Sequence, residues 1–284
     1  MPENFDRELS GGTAGRESYS GPPDLQIHVE SGVADSLGWV ELHRLLTLRP
    51  GVPLRDVPDR VTFSFPEDAP TWIVKRTRGD LRREAWFDRL HGSGGRSPGA
   101  REFENLQGLS EAGIPVPRPL AWASRSDVSL VVMERVSHES DLREVLARGG
   151  EATLRRWFAP LLDLVVRMHR AGWYHRDLYL QHFLPAARVG ERGEALCLID
   201  VGRARCQARP RLRWFLKDLG ALLHSAPPQV PRSWCLRFLA AYLDSAGVED
   251  RTRRRRWARS VERRRARIAG HVPRHGEAGP GSDS

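Results

Sequence analysis

Short apolar runs bounded by turn-forming residues are concentrated in the first half of the chain. Such runs are typical of β-strands, and they predict strands over residues 61–65, 71–76 and 128–134. The first two runs are separated by the turn sequence PEDAP. A later run at residues 196–200 predicts a short strand that leads into a turn.

A second spacing, with apolar residues at every third or fourth position, predicts amphipathic helices. One such helix covers residues 100–112 and ends at a glycine, and a longer one covers residues 154–171 and ends at Gly172. The same spacing predicts helices over residues 217–224 and 233–244. An arginine-dense segment over residues 251–269 completes the series.

Strands therefore come early and helices late, with a proline-rich stretch at residues 115–119 as the expected join. This order predicts an α+β fold with a small sheet-bearing N-terminal lobe, residues 23–136, and a larger helical C-terminal lobe, residues 137–270. Residues 1–22 and 271–284 are rich in glycine, serine and charge, and we expect them to be disordered tails.

Composition excludes several classes of protein. The 284 residues include 40% hydrophobic and 29% charged residues, which is a globular balance. No segment approaches the roughly 20 apolar residues of a membrane span, and the polar N-terminus does not resemble a secretory signal. Three cysteines without ligand-like spacing argue against a disulfide framework or a zinc site. We therefore expect a cytoplasmic protein.

The formal net charge of +9 predicts attraction to polyanions, namely nucleic acid, anionic lipid or acidic small molecules. Almost all basic residues are arginines, and Lys75 and Lys217 are the only lysines in the chain. A lysine retained in such a chain suggests a specific task. Lys217 taken alone is explained equally well by chance.

The most specific motif is the string WYHRDLYLQHFL, which begins at Trp173 and follows the long helix. His-Arg-Asp after a helix, and then an apolar strand ending in Asp200-Val201-Gly202, is the layout of a kinase catalytic loop and metal-binding turn. Phosphoryl transfer needs one carboxylate beside the acceptor hydroxyl and another that holds Mg²⁺ on the phosphates. Asp177 and Asp200 suit these two tasks. Asp177 alone would otherwise be read as a loop or capping aspartate.

Lys75 is the next-to-last residue of the predicted strand at 71–76, where kinases place a lysine that neutralises phosphates and pairs with a helix glutamate. The alternative is a solvated lysine at a strand edge. Glu102 and Glu104 on the helix at 100–112 are both candidate partners. Since residues two apart point in nearly opposite directions on a helix, only one can face the lysine, and we favour Glu102.

Together these residues make the chain resemble the lipopolysaccharide kinase family, bacterial enzymes that phosphorylate Kdo or heptose sugars of the lipopolysaccharide inner core. The resemblance runs from about residue 37 to about residue 245, through the strings WIVKRTRGD, GAREFENLQGLSEAGIPVP, HRDLYLQHFL, LIDVGRAR and RLRWFLKDLGALLHSA. It implies a two-lobed protein-kinase-like fold with a small antiparallel sheet, and ATP and Mg²⁺ as cofactors. It also implies transfer of phosphate to a sugar hydroxyl, with Asp177 as base, Asp200 on the metal, and Lys75 and Glu102 at the nucleotide.

Three features are compared with the wider kinase pattern: the residue at position 182, the glycine-rich phosphate loop, and Glu134. His182 stands where most kinases carry an asparagine metal ligand, and it is either a ligand of Mg²⁺ or a histidine packed beside Phe183. The chain has no G-x-G-x-x-G before Lys75, and residues 56–60, where the phosphate loop should lie, contain no glycine. The glycine-rich run at 91–100 comes too late and is read as a flexible connection. Glu134, at the end of the strand joining the lobes, would meet adenine through its backbone.

Two other positions, Arg176 in the catalytic-loop string and Asp218 in the later string LKDLG, suggest supporting roles. Arg176 would brace the loop or lie on the surface. Asp218 would accept hydrogen bonds from the backbone of the catalytic loop, which is a structural role.

Several arginines follow the Asp200 turn, in the segment that usually receives the acceptor in kinases. They would bind the carboxylates and phosphates of inner-core lipopolysaccharide, or else form a solvated loop. They are Arg203, Arg205, Arg209, Arg211 and Arg213.

Residues 251–267 hold ten arginines and one glutamate, with Trp257, Val261 and Ile268 as a narrow apolar stripe. The segment would hold the enzyme on the anionic inner leaflet of the cytoplasmic membrane, bind nucleic acid, or remain a solvated helix. The resemblance favours the membrane over nucleic acid.

Three other functions remain open from the sequence. One is a protein Ser/Thr or Tyr kinase, and another is an aminoglycoside-type phosphotransferase that works on small molecules. The third is a pseudokinase binding module, which the missing glycine loop supports and the presence of Lys75, Asp177 and Asp200 opposes. The sequence does not determine the sugar, the hydroxyl or the oligomeric state.

Overall fold

The computed structural model describes residues 25–33, 37–79, 96–187 and 194–270. The predicted tails at 1–22 and 271–284 lie outside the described residues, as do residues 91–95 of the glycine-rich run.

A six-stranded antiparallel sheet forms the N-terminal part of the fold. Its strands lie in the order β1-β5-β6-β4-β3-β2, so that β4 and β6 occupy the centre. The strands are β1 Gln26–Val29, β2 Val52–Val57, β3 Arg60–Phe65, β4 Trp72–Arg78, β5 Pro119–Ser124 and β6 Val128–Glu134. The position of β4 matters because it carries Lys75.

Two helices accompany the sheet, α1 Trp39–Thr47 and α2 Pro98–Glu111. Ser97 caps the start of α2, because its side chain accepts a hydrogen bond from the Ala100 N–H. Next to the cap, Gly99 lies so close to β6 that an added Cβ would meet the Leu130 carbonyl oxygen at 2.1 Å. This close approach, which only glycine allows, fixes the first turn of α2 against the sheet.

Helices dominate the C-terminal part and share one apolar core. They are α3 Leu142–Arg148, α4 Glu151–Arg170, α5 Leu212–His224, α6 Arg232–Ser245 and α7 Arg251–Ala269. Two small antiparallel pairs lie beside them, β7 Trp173–Tyr174 with β10 Arg205–Cys206, and β8 Phe183–Ala187 with β9 Glu194–Leu198. The catalytic-loop motif follows β7, and the Asp200 turn follows β9.

The predicted fold class is confirmed, and the predicted join at residues 115–119 is wrong. These prolines lead from α2 into β5, which pairs with β1 and β6 inside the sheet. The sheet ends at Glu134, close to the predicted lobe boundary at residue 136.

The arginine-rich helix α7 packs on the helical core. Val261 is 1% exposed, and an added Cβ at Gly220 of α5 would lie 2.7 Å from the Cβ of Arg264. The Arg254 guanidinium pairs with Asp244 of α6 at 2.7 Å. Through these contacts α7 is held in place by its inner face and presents arginines on its outer face. Of the helices described, none combines the length and apolar character needed to cross a bilayer.

Candidate active site

A polar cleft of about 530 Å³ collects the predicted chemical groups. Its walls come from the sheet strands β2, β3, β4 and β6, from the start of α2, and from the loops after β7 and β9. Lys75, Glu102, Asp177, His182 and Asp200 all line it. Groups separated by up to 125 residues in the sequence therefore meet in one cavity.

Lys75 is the centre of a compact ion cluster. Its Nζ lies 2.6 Å from Glu102 Oε1 and 3.1 Å from Asp200 Oδ1, with only 15% of the side chain exposed. Burial alone would lower the pKa of Lys75, but attraction to the two carboxylates outweighs burial and leaves the pKa above its ordinary value. The lysine is therefore fully charged at neutral pH and can bind an anion.

The choice of Glu102 over Glu104 agrees with the geometry. Glu102 is buried and faces Lys75, whereas Glu104 pairs with Arg96 at 2.5 Å on the outer side of α2. Their different environments follow from the helical angle between residues two apart.

Asp200 sits at a sharp turn with left-handed backbone angles of φ 58° and ψ 46°. Such angles are costly for an aspartate, and surrounding contacts must hold them. Two α2 side chains do so, since Arg101 Nε donates to the Gly202 carbonyl at 3.0 Å and Asn105 Nδ2 donates to the Val201 carbonyl at 2.8 Å. The Lys75 ammonium holds the pKa of Asp200 well below its usual range, so the carboxylate is ionised.

Asp177 is held by two cations. Arg203 Nη1 lies 2.7 Å from its Oδ2, and Lys217 Nζ lies 3.3 Å from its Oδ1. Burial lowers the pKa of Lys217, against the attraction of Asp177. The sequence reasoning treated Lys217 as explicable by chance, and its position beside Asp177 makes it a missed residue. The composition offered a signal for Lys217, because the chain has only two lysines. Lys75 lines the cleft, and Lys217 contacts Asp177.

Asp218 shapes the catalytic loop, as predicted. Its side chain is 0% exposed, and its two oxygens accept hydrogen bonds from the backbone N–H groups of His175 at 2.6 Å and Arg176 at 2.7 Å. His169 Nε2 lies 3.3 Å from the same carboxylate. These bonds fix Arg176, which has a positive φ of 75°, directly before Asp177. The Arg176 guanidinium lies over the Trp214 ring, 5.2 Å from its centroid.

His182 lines the cleft, and its ring centroid lies 5.6 Å from that of His175 and 5.8 Å from that of Tyr179. These contacts agree with a packed histidine, and binding of Mg²⁺ by His182 stays a prediction. The ring is mostly buried, and Nδ1 lies 2.9 Å from the Asp177 carbonyl oxygen, which can only accept a hydrogen bond. Nδ1 therefore carries the proton, and the lone pair of a neutral ring is on Nε2, 3.6 Å from Asp200 Oδ2. Burial lowers the pKa of His182, which favours this neutral form.

The arginines after Asp200 separate into two groups. Arg203 lines the cleft beside Asp177, and its side chain is 57% exposed. The cleft lining does not include Arg205, Arg211 or Arg213; Arg205 donates to the Ala204 carbonyl, and Arg213 stacks on Trp214 at 4.5 Å. Of the five arginines predicted after the Asp200 turn, Arg209 included, only Arg203 lines the cleft.

Glu134 lies at the end of β6 with an exposed side chain that pairs with Arg118 at 3.2 Å. Its N–H donates to the Arg118 carbonyl at 2.9 Å. The N–H of Glu134 is therefore already paired, and the contact of its backbone with adenine stays a prediction.

Three arginines that were not assigned from the sequence also line the cleft, namely Arg101 at the start of α2 and two on the sheet strands. Arg55 on β2 and Arg60 at the start of β3 lie on the sheet side, near Lys75. The strand β2 was not predicted, because its sequence VPLRDV contains a proline and the alternation of Val52 and Leu54 stops at Asp56.

Comparison with known proteins agrees with this geometry. The lipopolysaccharide core heptose(I) kinase WaaP of Pseudomonas aeruginosa is 32% identical over 213 residues, which cover 68% of this chain and 76% of that protein. The 3-deoxy-D-manno-octulosonic acid kinase of Vibrio vulnificus is 27% identical over 142 residues, 43% of this chain and 59% of that protein. A solved structure of WaaP in complex with acyl carrier protein has a TM-score of 0.60 at 24% identity, covering 84% of this chain and 99% of that one.

The solved structure supports the two-lobed protein-kinase-like fold. The family model described as "Lipopolysaccharide kinase (Kdo/WaaP) family" matches residues 63–242, which include every residue of the Lys75, Asp177 and Asp200 sites. Membership of a kinase family implies the use of ATP. On the match of the family model and of the Pseudomonas relative, this chain belongs to the lipopolysaccharide kinase (Kdo/WaaP) family.

Proposed function

We propose that this protein transfers the γ-phosphoryl group of ATP to a hydroxyl of a Kdo or heptose sugar in the lipopolysaccharide inner core. The observation that carries the proposal is the cluster of Lys75, Glu102 and Asp200 in one cleft with Asp177. The names of the relatives, a heptose(I) kinase and a 3-deoxy-D-manno-octulosonic acid kinase, support the choice of acceptor.

Asp177 acts at the acceptor. One of its carboxylate oxygens accepts the hydrogen bond of the sugar hydroxyl, orients the attacking oxygen and takes the proton as the phosphoryl group is transferred. Lys217 and Arg203 hold the carboxylate in position. Since Arg203 is the more exposed of the two, it is also the cation that an anionic acceptor reaches first.

Lys75 and Asp200 act at the nucleotide. Lys75, positioned by Glu102, binds the phosphates, and Asp200 presents an ionised carboxylate. Mg²⁺ is usually bound by one or two carboxylates together with substrate phosphates. When bound, Mg²⁺ would neutralise charge on the phosphates, with Asp200 and the Nε2 lone pair of His182 available to hold it.

Arg203, Arg205, Arg211 and Arg213 are proposed to bind the carboxylates and phosphates of the acceptor. Arg203 lies in the cleft, and Arg211 is exposed at the cap of α5. A bidentate guanidinium contact would suit either anion.

The test is transfer of label from radiolabelled ATP in the presence of Mg²⁺. Glycolipid, protein and soluble aminoglycoside acceptors are offered separately, and we expect label in the inner-core glycolipid. Asp177→Asn should abolish transfer and keep ATP binding. Asp163→Asn, an exposed change on α4, is the matched control. Label in protein or in an aminoglycoside would favour the corresponding rival function, and ATP binding without transfer to any acceptor would favour a pseudokinase.

Peripheral attachment to an anionic membrane is a second part of the proposal. Arg255, Arg259, Arg263 and Arg267 are one helical turn apart and exposed, so they form a stripe on the outer face of α7. Such a stripe would attract anionic headgroups near a lipid-linked acceptor. Flotation with vesicles containing anionic lipid tests this: wild type should float, and a variant with the stripe changed to glutamine should not. Retention of the wild type by nucleic acid but not by vesicles would contradict it.

A further inference from the structure

The hairpin that covers the phosphates in other kinases is built differently here. In this chain β2 and β3 are joined at Val57–Pro58–Asp59–Arg60, without glycine. A glycine-rich loop binds phosphates through backbone N–H groups that approach closely, and proline has no N–H to offer. Another set of donors has to do this work if the cleft binds ATP.

Strand register places two arginines on the cleft face of this hairpin. Arg55 is directly opposite Thr62, and Thr62 is directly opposite Lys75, so the three side chains share one face of the sheet. Arg60 is two residues before Thr62 and shares that face. Neighbouring strands are about 4.8 Å apart, so Arg55 lies about 10 Å from Lys75 between Cα atoms, within reach of a phosphate bound at Lys75.

These two arginines lack carboxylate partners. Among the described residues, neither Arg55 nor Arg60 forms an ion pair, although both line the cleft. Asp56, the nearest acidic residue on β2, alternates to the other face and pairs there with Arg49. A pair of uncompensated guanidinium groups beside Lys75 is a site for an anion with several charged oxygens.

We propose that Arg55 and Arg60 clamp the β- and γ-phosphates of ATP from the sheet side, and so replace the backbone contacts of a glycine-rich loop. The inference rests on the proposed function, because it assumes that the cleft binds ATP. It assigns the phosphate contacts to side chains, so the affinity depends on guanidinium charge at two positions. Removal of these charges should weaken binding of ATP while adenosine and its first phosphate are bound as before.

The experiment compares fluorescent analogues of ATP and AMP as ligands of the full chain, both in EDTA and in Mg²⁺. For Arg55→Gln/Arg60→Gln, ATP affinity should fall about 10- to 100-fold, as loss of charge-assisted hydrogen bonds implies, with AMP affinity unchanged. The Arg55→Lys/Arg60→Lys variant, which keeps charge but not the bidentate fork, should regain part of the loss. Arg49→Gln is the matched control, since this arginine lies just before β2 and outside the cleft lining, where it pairs with Asp56.

Two outcomes would overturn the clamp. One is ATP affinity equal to that of the Arg49→Gln control. The other is an equal loss for ATP and AMP, which would indicate damage to the fold of the hairpin. If wild type binds neither ATP nor AMP, the proposed function itself fails, and this result is distinct from the other two.

Discussion

Asp218→Asn is expected to disable catalysis by releasing the loop that carries Asp177. The wild-type carboxylate accepts hydrogen bonds from the His175 and Arg176 backbone N–H groups and from His169, at a position with 0% exposure. An asparagine of the same shape offers one oxygen as acceptor and turns its NH₂ group toward a donor. At least one buried N–H is then left without a partner, which costs about 1–3 kcal/mol, and opposed donors add to that cost.

The measurement has two parts. Urea unfolding should show a free energy of unfolding lowered by about 2–4 kcal/mol, the range for removing one partner of a buried charge-assisted network. Steady-state kinetics should show a large fall in kcat with ATP affinity retained, because Lys75 and Glu102 are held by β4 and α2 and do not depend on the loop. Asp163→Asn, in which an exposed pair with Arg167 is lost, should change stability by less than about 1 kcal/mol.

Two results would refute this reasoning. If Asp218→Asn is as stable as Asp163→Asn, the buried bonds do not stabilise the loop. If kcat and ATP affinity fall by the same factor, the damage extends to the nucleotide site and is not confined to the loop.

Lys75→Met removes the cation between Glu102 and Asp200, and fluorescence titration should show at least about tenfold weaker ATP binding. His182→Gln removes an imidazole whose pKa is lowered by burial. Because the unfolded chain binds that proton more readily, wild type should lose stability relative to the variant as pH falls below about 6.5, which urea unfolding at acidic and neutral pH would reveal. Val261→Ala removes buried methyl groups between α7 and the core, and calorimetry should show a loss of about 1–3 kcal/mol.

The site residues that could be predicted from the sequence are those that belong to short sequence motifs. His-Arg-Asp after a helix and Asp-Val-Gly after a strand each require a particular local geometry, and they identified Asp177 and Asp200. The angular spacing of a helix, which holds regardless of tertiary context, predicted that only one of Glu102 and Glu104 can face Lys75. Such features can be read from the chain because neighbouring residues determine them.

The missed residues depend on packing between distant elements. Lys217 reaches Asp177 because α5 passes under the catalytic loop, and no local pattern specifies that approach. The strand β2 is mostly exposed, and its sequence VPLRDV contains a proline and only a short apolar alternation at Val52 and Leu54. Arg55 was therefore not assigned to a strand or to a face. In the same way, the five arginines after Asp200 look alike in the sequence. The sequence therefore did not predict that Arg203 alone of these five lines the cleft.

The net charge of the cleft lining predicts how the proposed phosphate contacts of Arg55 and Arg60 depend on Mg²⁺. The five cationic side chains Arg55, Arg60, Lys75, Arg101 and Arg203 face the three carboxylates Glu102, Asp177 and Asp200, a surplus of two positive charges. Mg²⁺ offsets about two of the roughly four negative charges of ATP, so the surplus matches the charge of the magnesium complex. Without Mg²⁺ the nucleotide relies more heavily on the guanidinium groups. The double glutamine variant should therefore lose more ATP affinity in EDTA than in Mg²⁺, and the reverse order would mean that these arginines act on something other than the phosphates.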